Sequence, residues 1–204
     1  PPPEIRGLPP NDRFYNKFYG EGHWSANTII SVSIGQGEIL ATPLQIANLG
    51  ATIANRGFFR TPHVVKAIQD TVLPARTDSL RYPTVERRHY EAVAEGMRMA
   101  VTGGTCRRAA IPGIEVCGKT GTAQNPHGKD HSAFMGFAPY MDPKIAVAVY
   151  VENGGWGATY GVPIGSLVME KYLTGTIDPS RKAMETQMLN SSIVYNVPSG
   201  KKKQ

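Results

Sequence analysis

The stretch Cys117-Gly118-Lys119-Thr120-Gly121-Thr122-Ala123 puts an ammonium, two hydroxyls and two glycines into one short run. Ile114-Glu115-Val116-Cys117 leads in with β-prone residues, so the run is expected to enter as a strand whose successive side chains point to opposite faces. Thr120 and Thr122 then share one face, and Lys119 and Gly121 take the other. Gly121 puts no side chain where another backbone can approach closely. Such a strand suits a sheet edge that accepts an extended peptide, with main-chain bonds giving affinity and the threonine hydroxyls reading a carboxylate. It reads as one wall of an active site.

The flanking sequence extends this strand into a sheet. Strands are expected at His131–Ala138 and Ile145–Val151, and the turn-forming runs 125–130 and 140–144 between them predict an antiparallel meander. Residues 145–151 are apolar on both faces, which calls for cover on both sides. Cover is available. Thr42-Pro43-Leu44-Gln45 is a helix start with an N-cap hydroxyl, proline at the first helical position and glutamine placed for a capping box. This helix should be mostly buried, run to about Arg56 and stop at Gly57, with Gln45, Asn48, Thr52 and Asn55 as a polar stripe facing water or a loop. A second helix is expected over 85–101 with Tyr90, Val93, Met97 and Val101 inward, and a third over 162–173, opened by Pro163 and closed by Gly175. The fold class is α+β, an antiparallel sheet of at least three strands covered by helices.

Elsewhere the signals are weaker. Residues 1–22 read as an entry loop whose aromatics Tyr15, Phe18 and Tyr19, with Trp24 just beyond, pack it down; 28–34 is β-branched and reads as a strand or extended segment. Residues 64–68 read as a strand and the rest up to Pro83 as loop, 180–190 as a loosely held helix, and 199–204 as a disordered end. The net charge of +6 is scattered apart from Lys201-Lys202-Lys203, with no recognised motif or interleaved aromatics, and excludes nucleic acid as the expected partner. No stretch approaches the roughly 20 apolar residues of a membrane helix. Cys106 and Cys117 admit two readings: a disulfide closing a small loop in an oxidising compartment, or buried small hydrophobes.

Lys119-Thr120-Gly121 is the K-T-G tripeptide, and its context is specific. Gly35-Gln36-Gly37, the run 41–47 (ATPLQIA), and 57–63 (GFFRTPH) precede it; 134–139 (FMGFAP) and 151–155 (VENGG) follow. In that order and spacing the set resembles the C-terminal half of a class B penicillin-binding protein transpeptidase domain, most similar to the elongation or rod-shape type, over 1–175, with 176–204 as a partly helical or disordered tail. The resemblance implies a penicillin-binding protein/serine β-lactamase-like fold and serine acyl transfer on D-Ala-D-Ala stem peptides. It implies β-lactams and cell-wall elongation proteins as partners, no cofactor or metal, and a location on the periplasmic face of the inner membrane with the anchor upstream. Lys119 would hold the substrate carboxylate by charge, Thr120 and Thr122 would donate to it, and the Thr122 backbone N–H would form half of the oxyanion hole. Gly121 belongs to the same motif. A serine β-lactamase or β-lactam sensor, and a non-catalytic partner-binding module, are the alternative readings.

The family's other two motifs are not evident. Ser199-Gly200-Lys201-Lys202 matches S-x-x-K in letters but follows the K-T-G strand, and Ser25-Ala26-Asn27 matches S-x-N but stands just before Gly35-Gln36-Gly37. The expectation is a half-site, the K-T-G wall without its nucleophile. His127 and His131 have helical ligand spacing, yet Pro126 and Gly128 make the segment a turn, which excludes a zinc site there, and Asp130 with His131 lacks a nucleophile for a triad. Asn153 and Trp156 either shape the cleft or pack their glycine-rich loop.

Overall fold

The computed structural model describes residues 7–64 and 79–193. The chain divides into two compact units, Pro1–Ile46 and Ala47–Gln204. The strand expected at 64–68 and the disordered end expected at 199–204 fall wholly or almost wholly outside the described residues.

In the first unit the expected entry loop contains a helix, α1 (Asp12–Tyr19). Asn11 caps it, its Oδ1 accepting the Phe14 N–H at 3.0 Å, and Gly20 ends it at φ 88°. The aromatics pack only in part: Tyr15 is buried, stacking on Trp24 at 5.4 Å, and the Trp24 indole N–H donates to Asn16 Oδ1 at 2.8 Å, whereas Phe18 and Tyr19 are exposed. Residues 28–34 are not a strand but most of α2 (Ala26–Ser33). β-branched residues favour a strand chiefly through packing against a paired neighbour, and the local i to i+4 bonds prevail here. The predicted capping box is present: the Thr42 N–H donates to Gln45 Oε1 at 2.8 Å and the Gln45 N–H to Thr42 Oγ1 at 3.2 Å.

The division falls within α3 (Pro43–Ala54), which ends one turn short of Gly57; Arg56 at φ 59° and Gly57 at φ 109° turn the chain out. Burial of α3 is confined to Gly50, Thr52, Ile53 and Ala54, so the helix is less covered than expected and the supposed water-facing stripe is buried at Thr52, whose hydroxyl donates to the Asn48 carbonyl at 2.7 Å. α4 (Arg87–Thr102) follows, its inward face formed by Tyr90, Ala94, Met97 and Val101. Val93, expected inside, is exposed; the step of four from Tyr90 puts Ala94 against the core instead.

The sheet is the predicted meander, β1 (Cys117–Ala123), β2 (His131–Ala138) and β3 (Ile145–Val151), antiparallel in the order β1-β2-β3. β1 begins later than its lead-in suggested, because Ile111 and Ile114 bridge each other around Gly113 at φ 73°. The register sets Gly118 opposite Gly136, Thr120 opposite Phe134 and Thr122 opposite Ser132. α5 (Gly161–Thr174) covers one face, ending at the left-handed Gly175 as predicted, and α3 and α4 cover the other. Phe134 lies in the first core with Val101, Cys106 and Met169; Phe137 lies in the second with Ile53, Tyr90 and Met97. Phe134 occupies a socket of glycines: a Cβ on Gly118, Gly136 or Gly165 would come within 2.5–2.6 Å of its ring. β3 is half-buried rather than fully covered, with Tyr150 exposed, since it stands at the sheet's other edge.

Beyond α5, a 3₁₀ turn (Pro179–Arg181) leads into α6 (Lys182–Leu189), the helix expected over 180–190. It is tied down rather than loose at its start: buried Arg181 pairs with buried Glu170 at 2.6 Å and donates to Ser166 Oγ at 2.6 Å. No helix among the described residues is long and apolar enough to cross a membrane.

Candidate active site

β1 has β2 on one side, and no strand of this sheet pairs along its other side among the described residues. Lys119 is exposed on it, its Nζ donating to the carbonyl of Thr120 at 2.7 Å. Thr120 is half-buried, with its Oγ1 at 3.0 Å from that of Thr105. Thr122 Oγ1 accepts the backbone N–H of Gly157 at 3.3 Å. The cation and both hydroxyls therefore lie within one four-residue stretch of strand, each already held by a neighbour.

Those neighbours come from two connections. Thr105 belongs to the α4–β1 connection and is anchored on both sides: the Gly104 and Cys106 N–H groups donate to the Ala100 carbonyl at 3.1 and 2.9 Å. A Cβ on Gly104 would fall 2.8 Å from Ala100 Cα, so only glycine fits there without movement, and Cys106 is fully buried. Gly157 belongs to the β3–α5 loop. A Cβ there would stand 2.4 Å from the Gly121 carbonyl oxygen and 2.6 Å from that of Ala133, so this loop packs directly on the β1–β2 backbone; the side-chain position of Gly121 itself meets only Ala133 Cβ, at 3.3 Å, and the close backbone approach expected there is not found. Buried Ser132 holds the loop from beneath, donating to the Trp156 carbonyl at 2.9 Å and accepting the Gly161 N–H at 3.0 Å. Arg108 holds it from the side, donating to the Ala158 carbonyl at 3.4 Å and to Gln187 Oε1 of α6 at 3.0 Å.

Thr105, Ser132 and Gly157 were not singled out from sequence. A Gly-Gly-Thr after a helix, a serine in a strand and a glycine in a glycine-rich loop carry no signal until the topology joins them. Cys106 and Cys117 are free and buried, one in each core, so the hydrophobe reading holds and the disulfide does not. Burial pushes the Cys117 thiol up to about 12. It also raises Cys106, against the opposing pull of the Thr105 hydroxyl, the Thr120 backbone and the Lys119 charge.

Of the remaining candidates, the histidines and Asn153 hold turns together, while Asn153 and Trp156 also line a cleft. His131 Nδ1 accepts the Asn153 N–H at 3.0 Å, and the His127 backbone N–H donates to Asn125 Oδ1 at 3.0 Å. Asn153, at φ 55°, joins its loop to the β1–β2 turn through Asn125 Nδ2 at 3.0 Å. Trp156 projects into solvent beside a cleft of about 720 Å³ that Lys129, Asp130 and Tyr160 also line. Ser25 stands at the N-cap of α2 in the first unit without a capping bond, and Ser199 lies outside the described residues.

The family model of the penicillin binding protein transpeptidase domain matches residues 4–170. Peptidoglycan D,D-transpeptidase MrdA of Haemophilus influenzae is 36% identical over 201 residues, covering 88% of this chain and 29% of that protein. The imipenem acyl-enzyme complex of penicillin-binding protein A from M. tuberculosis matches with a TM-score of 0.62 at 34% identity, over 71% of this chain and 33% of that one. PBP2 in its complex with MreC from Helicobacter pylori matches with a TM-score of 0.71 at 28% identity, over 85% and 32%. The chain thus spans about three tenths of the curated relative's length. Because that family model spans more than half of the chain, the chain belongs to the penicillin-binding protein transpeptidase domain family, on its elongation-type class B branch.

Proposed function

We propose that this chain forms the K-T-G wall of a peptidoglycan D,D-transpeptidase that cross-links D-Ala-D-Ala stem peptides during cell-wall elongation. The observation that carries the reading is the exposed Lys119 beside the Thr120 and Thr122 hydroxyls on a strand with no sheet partner on its outer side among the described residues. A donor peptide added along that side presents its terminal carboxylate to Lys119, Thr120 and Thr122. A serine of the intact protein outside this chain attacks the penultimate D-Ala carbonyl. The Ser–O–C bond forms, the peptide C–N bond breaks, and the terminal D-Ala leaves with the serine's proton on its amine. An acceptor amine then takes the acyl group and the serine regains a proton. The Thr122 N–H is one donor to the oxyanion. The imipenem acyl-enzyme of the M. tuberculosis relative supports acylation and β-lactams as ligands; the MreC complex of the H. pylori relative supports elongation-complex partners.

Residues 1–175 constitute this portion of the domain and 176–204 its tail; the protein works at the periplasmic face of the inner membrane, held by an anchor outside this chain. Two measurements test the reading. Lys119→Ala in the intact protein should slow acylation by a fluorescent penicillin by on the order of 100-fold, the scale of losing one electrostatic contact to a reacting centre. An unchanged rate would remove Lys119 from the site. The 204-residue chain, incubated with the same drug, should keep its intact mass; a stoichiometric adduct, at Ser25 for example, would place the nucleophile within it.

A further inference from the structure

Resting on the transpeptidase reading, we propose that Thr105 is a positioning residue of the K-T-G wall, its hydroxyl donating to the Thr120 oxygen so that the Thr120 proton is left for the carboxylate of substrate or drug. A hydroxyl has one proton and two lone pairs, so two hydroxyls 3.0 Å apart share one proton on the line between them. If that proton belonged to Thr120, Thr120 would turn only lone pairs outward and repel an anion. If it belongs to Thr105, Thr120 becomes an outward donor, and a chain Thr105 O–H, Thr120 O–H, carboxylate forms in which each bond polarises the next. The carboxylate that Lys119 attracts selects the second arrangement.

The backbone around Thr105 shows why this hydroxyl keeps its place. Gly104 and Cys106 both bond to the last turn of α4, through the Ala100 carbonyl. Gly104 has no room for a side chain, and the buried Cys106 thiol lies against the strand, 3.6 Å from the Cβ position of Gly118. Thr105 is thereby pinned between two fixed residues and reaches the second residue of the motif from outside the strand. The hydroxyl is exposed, so its removal leaves no buried polar group unsatisfied.

The test measures, in the intact protein, the second-order rate of acylation by one penicillin as the free carboxylate and as its methyl ester. Thr105→Val keeps the shape and should slow the free acid about 3- to 10-fold, the range of one net hydrogen bond, while leaving the ester unchanged. Thr105→Ser should restore the acid rate, and Thr105→Val should cost nothing further once Thr120 is Val. Equal losses on acid and ester would mean a merely structural role, and no loss on the acid would mean no role; either overturns the proposal. Thr120→Val slowing the acid while Thr105→Val does not overturns this inference alone. Lys119→Ala and Thr120→Val both leaving the acid rate intact would overturn the transpeptidase reading and this inference with it.

Discussion

At the scale of single residues, the wall is made by groups that look ordinary in sequence. Gly157 is the sharpest case, because a methyl there would meet two carbonyl oxygens at 2.4 and 2.6 Å, and backbone atoms of two hydrogen-bonded strands cannot move aside cheaply. Gly157→Ala should therefore destabilise the chain by about 1–3 kcal/mol, the usual cost of overpacking. Urea unfolding measures that loss. In the intact protein the same change should slow penicillin acylation, since the shifted loop carries off the N–H that Thr122 accepts. Normal stability and normal acylation would show that the loop gives way without disturbing β1. Lys119 and the two threonines were legible from a tripeptide and its strand-forming lead-in. Gly157 and Thr105 were not, because their meaning is a distance across the fold.

At the scale of elements, the join between α5 and α6 rests on one buried ion pair. Glu170 accepts from Arg181 at 2.6 Å and from the Asp178 N–H at 2.9 Å, and Ser166 takes the other arm of the guanidinium. Burial draws the Arg181 pKa below its ordinary value, against the opposing attraction of Glu170. Arg181→Met would strand a buried carboxylate and should cost about 3–5 kcal/mol. Adding Glu170→Leu should recover most of it, because desolvating the pair costs nearly as much as the pair returns. A double change as damaging as the single one, measured by denaturant unfolding, would show that the network contributes more than charge compensation. The sequence reading placed a loosely held helix over 180–190 but said nothing of this anchor. Nor did it include α1, although Phe14, Tyr15, Phe18 and Tyr19 recur at helical spacing behind the Asn11 cap, or α2, a short helix held by local bonds.

At the scale of the whole second unit, charge links α3, α4 and the β2–β3 connection. Arg56 binds Glu91 at 2.6 Å, the Tyr140 hydroxyl donates to Glu91 at 2.7 Å, and the Arg56 and Arg98 guanidiniums lie 5.1 and 5.6 Å from the Tyr140 ring centroid. The Arg56 contact, then the Tyr140 hydroxyl, holds the Glu91 carboxyl below its ordinary value; Arg98 does the same for Glu95. Groups depressed on folding contribute fully above their unfolded pKa, roughly 4.3, and lose that contribution as pH falls through the lower folded values. The melting temperature should therefore drop as pH falls through and below that range, and Glu91→Gln should flatten the drop. A melting curve equally steep in the variant would remove Glu91 from the acid response. Glu91 is exposed while the Arg56 side chain is mostly covered, so added salt should weaken the effect only in part.

What the sequence determined by itself was periodic or local: the meander, from β-prone runs divided by strong turns; the capping box at Thr42 and Gln45; the stop at Gly175; and the K-T-G strand with its family context. Each depends on interactions within a few residues or on a repeat of two or nearly four. The tertiary structure decided which residues stand behind the wall, how Phe134 finds its glycine socket, and which cysteine lies on which side of the sheet. It also moved the inward position of α4 from Val93 to Ala94 and left β3 half-buried at an edge. These are contacts between segments far apart in the chain, and their energies exist only once the register Thr120–Phe134 and the packing of α5 bring those segments together.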